Sequence, residues 1–170
     1  MSIRSYYDQG FGFVLKDIDG RNVLKALANH ERTIERVTGE TSSVFTDLYN
    51  YFKDNDRFEF FLVPIYFDTE KIKRLNRTGK LAQYGQMGFY LNMLALVITA
   101  ETGITVNASE GQSDINSSPA ILMRKGMPWE YSATDLKTTP DELKRALAPY
   151  AKELGVPEDS IGEVEIEYYG

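Results

Sequence analysis

The chain has 170 residues, 42% of them hydrophobic and 26% charged, with a formal net charge of -6. That length suits one domain with a substantial core, and the acidic balance argues against general affinity for nucleic acid or anionic membranes, which need an excess of Lys and Arg. The chain has no cysteine and one histidine, His30, which excludes a disulfide framework, thiolate chemistry and a His/Cys zinc site.

The opening MSIRSYYDQG lacks a basic segment followed by an apolar one, so no secretion signal is expected and the cytoplasm is the expected location. Asn76, Asn107 and Asn116 begin glycosylation sequons, which are chance matches on that reading. Residues 4–16 read as a strand in which Phe11, Phe13 and Leu15 alternate with Gly12 and Val14. Gly10 and Gly12 suit a bulge or a close backbone approach. Asp17 to Gly20 is turn chemistry, and a helix follows with Val23, Leu24, Leu27 and Ala28 on one face. ERTIERVTGE then fits either an extension of that helix or a short strand, ended by Gly39.

Thr41, Ser42 and Ser43 are N-cap candidates for a helix striped by Val44, Phe45, Leu48, Tyr49 and Phe52. RFEFFLVPIYF, residues 57–67, reads as a strand that Pro64 confines to an edge or a bulge. A short basic helix, EKIKRLNR, follows behind Asp68 and Thr69. Residues 87–100 form the most apolar stretch of the chain. As a helix it would be about 21 Å long, short of the roughly 20 residues that a hydrocarbon core needs. It is therefore expected to be a fully buried central helix, 86–102, capped by a left-handed Gly103.

ITVNA (104–108) and PAILMR (119–124) read as strands joined by a polar loop, with a further short strand around Trp129 to Ser132. Thr139, Pro140 and Glu142 form a capping box with proline at the first helical position. Leu143, Leu147, Tyr150 and Leu154 line one face of the helix they open, and Pro149 should kink it. In the last segment Val164, Ile166 and Tyr168 alternate with Glu163, Glu165 and Glu167. Strands and helices mix without a βαβ rhythm. The expected class is therefore α+β: one domain, 1–170, with a mostly antiparallel sheet packed against four to five helices.

Motif tests exclude several chemistries. Gly10-Phe11-Gly12 begins like a dinucleotide fingerprint, but Leu15 stands where the third glycine belongs and the glycines lie inside the strand. Gly79-Lys80 resembles the end of a phosphate loop, but Arg74 replaces the first glycine and Leu81 the hydroxyl that would hold magnesium. In the calcium-loop register of Asp17 to Gly20, Leu15 and Ala26 occupy ligand positions. No Ser-x-x-Lys pair or Gly-x-Ser-x-Gly elbow is present, and His30 reads as a surface or capping residue. No cofactor and no metal site is expected.

Two charged arrangements survive. Lys71, Arg74, Arg77 and Lys80 recur at i, i+3 and could meet phosphate or an acidic partner, or form an ordinary solvated face. Glu163, Glu165 and Glu167 make a carboxylate row that could meet a basic partner surface, or simply discourage edge aggregation. The loop with Ser109, Glu110, Gln112 and Asp114 is a further partner-binding candidate.

PAILMRKGMPWEY, TTPDELKRALAPYAKELG and VEIEYYG together resemble the C-terminal part of small intracellular proteins of Gram-positive bacteria and their phages, a group with no assigned activity. The shared features are a Pro-Trp dipeptide, a capped helix and a closing strand, over about 50 residues. The resemblance implies an accessory protein of a bacterium or phage and carries no catalytic residue. The leading expectation is thus a non-enzymatic intracellular protein-binding factor, with strand 162–168 also suited to a homo-oligomer. The alternatives are a small-ligand or nucleotide-binding protein, even an enzyme, using the 71–80 stripe, and an acidic nucleic-acid mimic that inhibits a host enzyme.

Overall fold

A computed structural model describes residues 5–16, 19–39, 44–54, 87–109 and 119–169. The expected strand 57–67, the basic helix and stripe of 70–80, the caps Thr41 to Ser43 and most of the polar loop lie outside these residues. The described elements are β1 (Ser5–Val14), α1 (Gly20–Asn29), α2 (Glu31–Thr38), α3 (Val44–Phe52), α4 (Met87–Thr102), β2 (Asn107–Ser109), β3 (Ala120–Arg124), α5 (Ala133–Lys137), α6 (Pro140–Glu153) and β4 (Gly162–Tyr169). The class is α+β, with six α-helices among the described residues rather than four to five.

The strands form one antiparallel sheet in the order β2-β3-β1-β4. β1 is central because both neighbours pair along it: Phe13 lies opposite Ile121, and Gly10 lies between Arg124 and Val164. The two glycines of β1 are required by this pairing. A Cβ on Gly10 would lie 2.0 Å from the Met123 carbonyl oxygen, and one on Gly12 would lie 1.9 Å from that of Ile121. The sequence reading of a close backbone approach is the correct one, and no side chain fits at either position.

The sheet alternation separates two apolar clusters. Phe13 and Ile121 join the main core with α1, α3, α4 and α6, whereas Ala120, Leu122, Val164 and Ile166 form a second cluster. Successive strand residues point to opposite faces, so the second cluster lies across the sheet from α1, α3, α4 and α6. The alternation read in β4 is present: Val164 and Ile166 are buried and Glu163 and Glu165 exposed. The buried row, however, serves the second cluster. Glu163 pairs with Phe11 and Glu165 with Gln9, which puts these two glutamates on the helix-bearing face, out at the edge strand.

Helix α4 organises the main core. Tyr90, Leu91, Leu94 and Ile98 are fully buried, and α4 touches α1, α2, α6 and β2. Phe45 of α3 meets Tyr90 edge-on, with ring centroids 6.2 Å apart. The expectation of complete burial is corrected, because Asn92, Leu96 and Ala100 form a narrow exposed stripe at i, i+4 spacing. Gly103 ends the helix at φ 74°, in the left-handed region that its missing Cβ allows.

The strand expected at 104–108 is reduced to residues 107–109, because its amides are already committed. Thr102 Oγ1 accepts the Ile104 N–H at 3.1 Å, Asp135 Oδ1 that of Thr105 at 2.7 Å, and Thr99 Oγ1 that of Val106 at 3.1 Å. The strand expected at 129–132 is absent. Pro128–Glu130 is a 3-10 turn, and Ser132 opens α5 through a reciprocal capping box with Asp135. Burial alone would raise the Asp135 carboxyl, but the Thr105 and Ser132 amides hold it below its ordinary value. The Thr139/Glu142 box and Pro140 open α6 as expected, and Leu143, Leu147, Tyr150 and Leu154 face the core.

Three substitutions test this packing by chemical denaturation. Leu94→Ala should cost about 2–5 kcal/mol, while Leu96→Ala, two residues along the same helix, should cost under about 1 kcal/mol. Gly12→Ala should destabilise by about 1–3 kcal/mol or more, since strand backbone must move to admit the methyl group.

Candidate interaction surface

The turn after β3 is built by local hydrogen bonds. The Tyr131 hydroxyl accepts the Gly126 N–H at 2.7 Å and donates to the Arg124 carbonyl at 2.9 Å. The Glu130 carboxylate accepts the Met127 N–H, and the Lys125 N–H reaches back to the Gln9 carbonyl of β1 at 2.8 Å. This frame holds apolar side chains outward. Trp129 is 79% exposed and Met127 55%, and Leu136 on the following helix is 63% exposed. Three large apolar side chains so exposed within a short stretch are a departure from the scattered exposure usual on a soluble surface.

Two shallow grooves flank this turn and meet at Lys125. One, of about 240 Å³, lies between the turn and the β2 end of the sheet, bounded by Thr105, Asn107, Arg124, Glu130 and Tyr131. The other, of about 280 Å³, is bounded by Gln9, Gly10, Glu163, Val164 and Glu165. Gln9 Nε2 donates to Glu165 Oε2 at 2.9 Å across the strand pair. The fold thus brings Glu163 and Glu165 beside a lysine and next to the Trp129 turn, an aromatic and charged surface along one end of the sheet.

The other sequence candidates are placed differently. Glu167 lies in β4, where its backbone pairs with Tyr7 of β1. Ser109 ends β2 and is buried at 6% exposure, so it belongs to the sheet and not to the polar loop in which it was expected. Glu110, Gln112 and Asp114, and the stripe of Lys71, Arg74, Arg77 and Lys80, lie outside the described residues. The sequence reading missed Trp129, Lys125 and Tyr131 as surface elements. The available signal was the only tryptophan of the chain next to Pro128, a residue that cannot donate to a strand ladder.

Titratable groups converge at one other place. His30 Nδ1 lies 2.9 Å from Glu101 Oε2, and Nε2 lies 2.9 Å from Glu153 Oε1. Tyr150 donates its hydroxyl proton to Glu101 Oε1 at 2.8 Å, and Thr33 donates to Glu101 Oε2. His30 stands at the cap position between α1 and α2, but its side chain makes no cap hydrogen bond. Neither groove includes this cluster, and its donors and acceptors are turned on one another. Among the described residues no group of three or more His, Asp or Glu side chains is arranged to hold a metal ion, and no helix is long and apolar enough to cross a membrane.

No protein-family model matches the chain, and no curated protein or solved structure matches it significantly.

The turn can be tested without a partner, because Trp129 is the only tryptophan. Tyr131→Phe removes both turn hydrogen bonds at a cost of about 0.5–1.5 kcal/mol each. The expected result is faster amide exchange at Gly126 and lower fluorescence anisotropy of Trp129, with little change elsewhere.

Proposed function

We propose that this protein is a non-enzymatic protein-binding factor that engages its partner with the Trp129 turn and the adjoining Glu163/Glu165 edge. The observation that carries this reading is a 79% exposed tryptophan on a turn fixed by the Tyr131 and Glu130 hydrogen bonds. A rigid aromatic side chain loses little conformational entropy on binding and is the residue type that most often dominates an interface. Glu163 and Glu165, which share a groove with Lys125 of the same turn, favour a partner with an apolar socket bordered by basic residues. An accessory role in a bacterium or phage is in keeping with the resemblance of the C-terminal segments, and an intracellular setting with a chain that has no cysteine.

The test begins with native mass spectrometry of the protein gently purified from its host, which identifies a co-purifying protein. Binding of that partner is then measured with variants. Trp129→Ala should weaken it by at least about 2 kcal/mol, roughly thirty-fold in Kd. The triple change of Glu163, Glu165 and Glu167 to Lys should weaken it further, with the melting temperature of the free protein nearly unchanged. Full affinity in both variants would overturn the reading. So would a retained small molecule in place of a protein partner.

A further inference from the structure

The His30 ring stands between two carboxylates that come from different helices. Both ring nitrogens face carboxylate oxygens at 2.9 Å. An ionised carboxylate only accepts hydrogen bonds, and a neutral imidazole has a single N–H to give. Were His30 neutral, one nitrogen lone pair would point at the lone pairs of Glu101 or Glu153. With both carboxylates ionised, the geometry is satisfied only when the imidazole carries its second proton. Glu101 is meanwhile the acceptor for Tyr150, Thr33 and His30 together, which fixes it as the anion.

The position of the cluster explains why a cation is useful there. Glu101 lies in the last turn of α4, which has no basic residue, and Glu153 is the last residue of α6. Each carboxylate therefore adds negative charge to the negative end of a helix, an unfavourable placement that an imidazolium offsets. His30 itself follows the end of α1, so one ring joins three helix C-termini. Among the described residues, the groups that meet the ring are Glu101 of α4 and Glu153 and Tyr150 of α6, the last with its ring centroid 5.6 Å away. From α2, Thr33 turns to Glu101 and the Glu31 carboxylate turns away to the Thr46 amide of α3.

We propose that the second proton of His30 is a latch that fixes the C-terminal end of α6 to the ends of α1 and α4, and that the last turn of α6 loosens when the proton leaves. The proton goes to solvent. The neutral ring keeps one carboxylate and releases the other. Glu153 is the one released, because Glu101 is also held by Tyr150 and Thr33.

The direction of the pH response follows. Partial burial of the His30 ring disfavours its charge, but the hydrogen bonds and charges of Glu153 and Glu101 outweigh it and hold the pKa above its ordinary 6.5. Its contribution is complete below about 6.5 and is lost as pH rises through the folded value. Burial also disfavours the Glu101 anion, but Thr33, Tyr150 and His30 hold its pKa below the ordinary 4.5. Its contribution is complete above about 4.5 and is lost as pH falls through the folded value. The latch is therefore strongest between those two ordinary values and weakens as pH rises through the folded value of His30.

Because His30 is the only histidine, its Cε1–H resonance in the intact protein reports the latch as a single NMR signal. The expected result is a midpoint above 6.5, with amide protection at Tyr150 to Leu154 lost in parallel once intrinsic exchange is corrected. Glu153→Gln should lower the midpoint and flatten the pH dependence of that protection. The wild-type titration needs no variant to fold. A midpoint at or below 6.5, or protection in α6 that does not change through the midpoint, would overturn the latch.

Discussion

The burial of α4 is the constraint on which the other elements depend. Among the described side chains of α4, the apolar ones occupy most of the helix circumference, and Asn92, Leu96 and Ala100, with Glu101 at the end, are open to water. A surface of that width cannot be covered by one neighbour. It is covered by α1, α2, α6 and β2 together, and each fully buried large side chain contributes about 1.5–3 kcal/mol. Among the described residues, α1, α3, α4 and α6 are therefore gathered on one face of the sheet, and the C-terminal ends of α1, α4 and α6 meet at one place. The convergence of His30, Glu101 and Glu153 is a consequence of that packing.

The sheet sets the second arrangement. β1 lies between β3 and β4, and its glycines let the strands approach more closely than any side chain would permit. Among the described strands β4 is at the edge, with its apolar row turned to the second cluster and Glu163 and Glu165 exposed in the groove that Lys125 shares. The proposed binding surface and the proposed latch share the C-terminal third of the chain but use different physics. The first relies on exposed apolar area on a hydrogen-bonded frame. The second relies on a charge that compensates three helix ends.

Patterns carried by neighbouring residues were legible in the sequence. The alternation of β1 and β4, the capping box of α6, the left-handed Gly103 and the close approach at Gly10 and Gly12 each depend on the chain within a few residues or on the shape of one residue type. Residues 104–106 and 129–132 were misread as strands for the opposite reason. In 104–106 β propensity is overridden by hydrogen bonds to Thr102, Asp135 and Thr99, Asp135 lying 30 positions from Thr105, and in 129–132 by those of the Glu130 amide to the Met127 carbonyl and the Ser132 amide to Asp135. Propensity describes how a residue fits a pleated surface and does not say whether its amide is already taken.

The sequence by itself determined the α+β class, the acidic character, the absence of thiol chemistry and the identity of the most buried helix, because composition and periodicity encode which surfaces avoid water. Only the tertiary structure decided what the polar residues do. The partners of His30 lie 71 and 123 positions away, and Trp129 is exposed because Tyr131 and Glu130 fold the turn beneath it. Hydrophobic burial is read from spacing along the chain. The protonation of one imidazole and the outward set of one indole depend on distances of a few ångströms between segments that the sequence keeps far apart.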